Sequence, residues 1–292
     1  MDTLPFLLAA VSAVLHAFWN ATLKTSRDAG ACIMAAGTLQ GLVFLPCFVW
    51  LAPWGALEAA LPFALLSALI HIAYRLLLSR ALQTGALSQA YAVARSAPLL
   101  VALGGVYLFG ETIGPAAWAA MGAAVLGVGV LHARELRALL GRRGEPGAWS
   151  GPCWAFLTML SVAAYTLSDD AGVQRMEPAP YMFLFTALSS GLYLAPLPLT
   201  LRGRDRLNGI LEAWRGERKH VLTVAFFEPL SYALILSAFT LAPAGTVSAV
   251  RLLSVPVAAA IGIWRFKEPA GGLRLAGAAL VAAGAAALKL AN

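Results

Sequence analysis

The sequence predicts an all-α integral membrane protein of ten transmembrane helices, arranged as two inverted five-helix repeats with both termini on the periplasmic side. Three observations carry this. The 292 residues are 60% hydrophobic and only 12% charged, with a mean hydropathy of +0.76, against roughly 25% charged residues in an ordinary soluble domain. Lysine and arginine alternate sharply between successive loops. A long segment of the first half recurs in the second.

A helix that crosses the ~30 Å hydrocarbon core needs about 20 mostly apolar residues. Breaks at charged and Pro/Gly-containing clusters give ten such spans, at 4–23, 30–51, 60–80, 86–109, 113–133, 151–169, 180–200, 220–241, 244–265 and 271–290. Residues 134–150 and 201–219 are left as basic connections. Continuous Leu/Ala-rich runs exclude the alternating ten-residue strands of an outer-membrane barrel. The opening run has no basic segment before it and no small-residue cleavage site, so it reads as a retained first span. Cys32, Cys47 and Cys153 lie far apart inside apolar runs and read as packing residues, neither disulfide nor metal ligands.

The loops between spans 1 and 2, 3 and 4, 5 and 6, 7 and 8, and 9 and 10, with their flanks, hold sixteen Lys and Arg residues, whereas the opposite side has Arg175 and Lys289. By the positive-inside rule those five loops are cytoplasmic. The net charge of +7 follows from this asymmetry, and basic residues beside a membrane are met by anionic lipid, so no nucleic-acid partner is implied.

"YRLLLSRALQTGALSQAYAVARSAP" (74–98) aligns without gaps to "YALILSAFTLAPAGTVSAVRLLSVP" (232–256), pairing Tyr74 with Tyr232, Ser96 with Ser254 and Pro98 with Pro256. "LFGE" (108–111) corresponds to "RFKE" (265–268). Five spans per repeat is an odd number, so the halves insert in opposite senses. The expected organisation is a first repeat at 1–133, a basic cytoplasmic linker at 134–150 and a second repeat at 151–292. Inverted repeats mark transporters, with a site near mid-membrane at the repeat interface.

These features resemble the drug/metabolite transporter superfamily, and within it the EamA-like ten-helix transporters. The residues that carry the resemblance are "HAFWNATLK", the paired "ALSQAYAVARSAPLLVALGGVYLFGE" and "AGTVSAVRLLSVPVAAAIGIWRFKE", and the Gly/Ala-rich last span of each half. The resemblance extends over the whole chain and lies nearest the bacterial amino-acid exporters, aromatic ones included. It implies a central cavity walled by spans 3, 4, 8 and 9, alternating access, a multi-pass place in the bacterial inner membrane, and a monomer or homodimer. Transport of anionic or phosphorylated metabolites or drugs, and uptake instead of export, remain the alternatives.

Ser12, His16, Trp19 and Asn20 share one face of span 1, and Ser161, Tyr165, Ser168 and Asp169 a comparable face of span 6. Lipid cannot satisfy such a stripe, so it faces protein or water. Span 3 offers His71, Tyr74 and Arg75, span 4 Ser88, Tyr91 and Arg95, span 8 Glu228, Ser231 and Tyr232, and span 9 Ser248, Arg251 and Ser254. The expected substrate cavity therefore uses Trp19, Asn20, His71, Tyr74, Tyr91, Arg95, Tyr165, Tyr232 and Arg251. The surplus of cations points to a ligand with a carboxylate, which arginine binds bidentately, and the tyrosines supply apolar faces with polar rims.

Glu228, taken as the only acidic residue well inside a span, is the candidate proton site. Pro98 and Pro256 each remove a backbone donor from a span and are candidate hinges. Gly122 with Gly129, and Gly277 with Gly284, each seven apart, are expected to make smooth faces for close packing of spans 5 and 10. Asp169 and Asp170 are expected to be solvated at the outer end of span 6. No nucleophile motif, phosphate-binding loop or metal spacing occurs, so neither an enzyme nor a cofactor is expected.

Overall fold

A computed structural model describes residues 1–84, 93, 95–141, 150–195, 201–267 and 271–291. All regular structure among them is helical. The helices are α1 (Thr3–Lys24), α2 (Ala29–Leu51), α3 (Trp54–Thr84), α4 (Ala97–Phe109), α5 (Pro115–Leu131), α6 (Ala133–Gly141), α7 (Ser150–Val173), α8 (Pro178–Leu194), α9 (Leu201–Gly216), α10 (Arg218–Phe239), α11 (Ala244–Val250), α12 (Ser254–Phe266) and α13 (Gly272–Leu290). Among the described residues, six segments are long and apolar enough to cross a membrane: α1, α2, residues 54–74 of α3, α10, the 244–266 run and α13. The protein spans the membrane several times. Large apolar side chains such as Leu4, Leu7, Leu42, Trp50 and Trp264 are exposed on the outside of the bundle, where lipid replaces water as the surrounding solvent.

Two connections differ from expectation, because the basic segments at 134–150 and 201–219 contain helices α6 and α9. Both have low mean apolarity but an apolar stripe, which suits a helix lying along the interface. Ile210 and Ala213 of α9 are buried with Trp19, Cys32, Ala35 and Val221, so α9 clamps α1, α2 and α10 together at one end. The span expected at 244–265 is interrupted by a 3₁₀ turn, Arg251–Leu253. Pro256 lacks the N–H that would bond to Leu252, and its ring crowds that carbonyl, so the regular helix restarts at Ser254. Pro98 likewise begins a helix, as the second residue of α4, after a turn at Arg95–Ser96.

The helices pair in a pattern that follows the repeat. α5 packs on α13, α2 on α8 and α4 on α11, each with its own equivalent, while α1 packs on α10 as α7 packs on α3. Gly110 and Lys267, at corresponding places in "LFGE" and "RFKE", both adopt left-handed cap conformations, with φ of 69° and 55°.

Packing of α5 against α13 depends on glycine, with the expected Gly277 and Gly284 of α13 in the contact but not the expected Gly122 and Gly129 of α5. A Cβ at Gly284 would stand 2.6 Å from the Ala124 nitrogen, and one at Gly127 2.6 Å from the Val281 nitrogen; one at Gly277 would strike the backbone of Leu131. Gly122 and Gly129 face open space instead. The first-half surface is therefore Ala120, Ala124 and Gly127, because the seven-residue spacing was assigned to the wrong face of α5.

The two chain ends meet at one end of the bundle, where the Met1 ammonium donates to the Leu288 carbonyl at 3.2 Å and Lys289 to Thr3 Oγ1 at 2.7 Å. Here one continuous apolar cluster takes in Ala64 of α3, Val101 of α4, Met121 of α5, Phe185 of α8, Leu236 of α10 and Val247 of α11. At the other end the described residues form separate clusters, one around Trp19 and Val221 and another of Ala155 with Val93 and Trp154. The bundle is sealed at its terminal end.

Glu111, in the loop after α4, belongs to that seal. Its Oε1 accepts from the Ala244 nitrogen at 3.3 Å, while Oε2 is buried with no hydrogen-bond partner. Burial pushes the Glu111 carboxyl above its usual range, opposed in part by the Ala244 hydrogen bond. A carboxyl raised in the fold favours the native state below its ordinary value and loses that contribution as pH rises through the raised one. Thermal unfolding in detergent is therefore expected to show Tm falling over the pH range just above the ordinary glutamate value, and Glu111→Gln to flatten that fall; an identical slope in the variant would remove Glu111 as its source.

Candidate functional site

Three loops and helices bring charge to the centre. His16, on α1, is met by two guanidinium groups: Arg95 Nη2 lies 2.9 Å from its Nε2 and Arg251 Nη2 3.4 Å from its Nδ1. A guanidinium can only donate, so at most one ring nitrogen of a neutral imidazole accepts. The shorter contact assigns acceptance to Nε2 and the proton to Nδ1. Arg95 also donates from Nη1 to Ser254 Oγ at 3.2 Å. Arg251 Nε is buried with no hydrogen-bond partner, and no carboxylate pairs with this guanidinium among the described residues. The guanidinium also lies over the face of Tyr232, 5.4 Å from the ring centroid.

Both arginines occupy breaks in helical structure. Arg95 lies in the turn before α4 and Arg251 opens the 3₁₀ turn between α11 and α12. These breaks precede Pro98 and Pro256, so the prolines place the two cations at mid-chain of their spans.

An aromatic wall adjoins this pair. His71 on α3 lies against Tyr165 with centroids 4.2 Å apart, against Phe185 at 5.4 Å and against Tyr232 at 6.2 Å, and Tyr74 meets the edge of Tyr165 at 5.8 Å. The ring of His71 is fixed by Nδ1–H donating to the Ser67 carbonyl at 2.9 Å. The structure thus brings together His71, Tyr74, Arg95, Tyr165, Tyr232 and Arg251, joined by His16, whose place on the polar stripe was legible although its contact with both arginines was not.

Trp19 and Asn20 stand at the edge of this group. Trp19 is 8% exposed and packs in the apolar cluster with Cys32 and Val221, touching His16 edge-on at 5.1 Å. Asn20 donates from Nδ2 to the backbone carbonyl of His16 at 2.7 Å. Tyr91 lies outside the described residues, as does Ser88. Glu228 on α10 accepts from Gln40 Nε2 of α2 at 2.6 Å, in the interface of those helices.

The acidic pair at 169–170 corrects the expectation of solvated residues. Asp169 is 0% and Asp170 4% exposed. Tyr181 donates to Asp169 Oδ1 at 3.0 Å and Tyr232 to Oδ2. The expected span ended at residue 169, whereas α7 continues to Val173 and is capped by the Tyr181 ring against Gly172. Lacking a side chain at residue 172, the helix admits that ring, which covers the carboxylates. A lone Asp-Asp pair near a predicted helix end gave no sign of this.

An apolar recess of about 450 Å³ between α2 and α8, lined by Leu45, Phe48, Leu188 and Leu192, opens on the lipid-facing side. Its lining has no charged group with which to select a polar ligand.

The EamA-like transporter family matches residues 149–289. The second half carries an EamA-like transporter domain. The matched family is one of the drug/metabolite transporter superfamily. No curated protein matches the chain. A solved structure titled "Crystal structure of protein" is similar over 99% of this chain and 97% of that one, with a TM-score of 0.68 and 15% identity. That likeness is one of fold, and it runs through both halves, beyond the segment that the family matches.

Proposed function

We propose that the protein is a secondary transporter of the bacterial inner membrane that exports amino acids, aromatic or other neutral ones, and related small metabolites by alternating access. The observation that supports the substrate class is the meeting of Arg95 and Arg251 on a neutral histidine, with no carboxylate partner for the Arg251 guanidinium among the described residues. Two arginines in one low-dielectric place repel each other, and a bound carboxylate relieves that repulsion while satisfying the free Nε. Tyr74, Tyr165, Tyr232 and His71 beside them would receive an apolar or aromatic side chain. The EamA-like domain supports transport as the activity.

In this reading the chain is a carrier with no chemical step of its own and no cofactor, working as a monomer or homodimer. Pro98 and Pro256 serve as hinges, since the breaks they enforce carry both arginines. The anionic-metabolite alternative rests on the same pair of cations. Uptake of radiolabelled phenylalanine into proteoliposomes, challenged with unlabelled amino acids, phosphorylated metabolites and cationic drugs, tests the proposal. Competition by neutral amino acids supports it; competition by cationic drugs alone would refute the substrate class.

The termini are taken to face the periplasm, as the basic loops at the opposite end indicate. In a background freed of Cys32, Cys47 and Cys153, a cysteine replacing Lys219 is expected to react with an impermeant maleimide only from the cytoplasmic side. Labelling in intact cells would invert the orientation.

A further inference from the structure

We propose that Asp169 is a proton-binding site, occupied when the terminal end of the bundle is sealed, and that Tyr232 links it to the arginine pair; the proposal rests on the transporter reading above. The carboxyl group is fully buried on α7 and is met by hydroxyls from three other helices: Ser67 of α3, Tyr181 of α8 and Tyr232 of α10. No lysine or arginine pairs with it among the described residues.

α3 presents His71, held against Tyr232 and Tyr165. From α7 itself come Tyr165, Asp170 and, beyond its end, Arg175, whose guanidinium lies over Phe63 and donates to the Ala171 carbonyl. α8 and its cap give Tyr181 and Glu177, α10 gives Tyr232 and Glu228, and the loop after α4 gives Glu111. Arg251 lies over the ring of Tyr232, whose hydroxyl donates to Asp169.

A buried ionised carboxylate without a counter-ion costs several kcal/mol or changes its protonation state instead. A neutral carboxyl keeps acceptor capacity at both oxygens, so both phenol hydrogen bonds survive protonation. In the sealed arrangement Asp169 therefore holds a proton on a carboxyl oxygen. If α8 and α10 part from α7, the Tyr181 and Tyr232 contacts break, water reaches the carboxyl, and the proton passes to that water. Closing takes one proton up again.

The link to substrate is geometric. The phenol that donates to Asp169 lays its ring on Arg251, so a ligand seated on Arg251 moves the same side chain that caps the proton site. Asp169, not Glu228, is thus the group through which pH reaches the site, since Glu228 is held by Gln40 in a different interface.

The test is infrared difference spectroscopy of the full-length protein in liposomes during a step from acidic to alkaline buffer, reading the C=O stretch of protonated carboxyl groups, alongside counterflow of radiolabelled phenylalanine. The expected result is a titrating band that Asp169→Asn removes and Glu228→Gln leaves in place. Tyr232→Phe, which keeps the carboxyl and loses one donor, should shift the band to higher frequency and so serves if Asp169→Asn does not fold. A band that survives in Asp169→Asn, that is lost only in Glu228→Gln, or that is unmoved in Tyr232→Phe overturns the proposal. A band assigned to Asp169 with no counterflow in the wild type would leave the proton site standing and defeat the transport substrate, whereas counterflow with no such band would do the reverse.

Discussion

Arg251→Ala is expected to weaken binding of a carboxylate substrate by about ten- to a hundredfold in counterflow assays. A charge-assisted hydrogen bond contributes about 1.5–3 kcal/mol, and each 1.4 kcal/mol is roughly a factor of ten in affinity. The variant also removes the repulsion between the two guanidinium groups and the cation–π contact with Tyr232, so the fold should tolerate it. The decisive comparison is between a ligand and its amide. Loss for phenylalanine without equal loss for phenylalaninamide identifies Arg251 as the carboxylate partner. Equal losses for both would mean that the arginine holds the helices, not the ligand.

Gly277→Val should have the largest effect on stability. Its side chain would meet the Leu131 backbone and the Gly127 carbonyl where α5 and α13 cross. Backbone cannot turn aside as a flexible side chain can, so α5 and α13 must separate. Overpacking of this kind costs about 1–3 kcal/mol, and separating the helices removes the dispersion contacts of Val128, Val281 and Leu252 as well. The expected readout is a marked fall in Tm in detergent, or loss of the monodisperse species on size exclusion. Gly122→Val is the control, since nothing lies within reach of a side chain there. Similar Tm values for the two variants would contradict the assigned face.

Much of the architecture was legible because membrane spans are written in composition. Apolar length located most helices, and lipid leaves the backbone few alternatives. The helical parts of 134–150 and 201–219 were missed because charge was read as loop, although Leu207, Ile210 and Ala213 fall on a helical stripe. The interruption at Arg251 was foreshadowed by Pro256. For the site, helical periodicity put His16, Tyr165, Tyr232 and the arginines on inward faces. What it could not supply was pairing between distant helices: Gln40 with Glu228, or Tyr181 and Ser67 with Asp169. Asp169 was misjudged because its burial depends on Tyr181, a residue of the next helix admitted by the absent side chain of Gly172.

In the proposed function the paired arginines seat a carboxylate. Calorimetric titration of the purified wild-type protein with phenylalanine and with phenylalaninamide tests it most directly. Heat and saturation are expected with the acid, and a much weaker signal with the amide, whose neutral oxygen cannot draw both guanidinium groups together. Equal affinity for the amide, or preference for it, would contradict the claim.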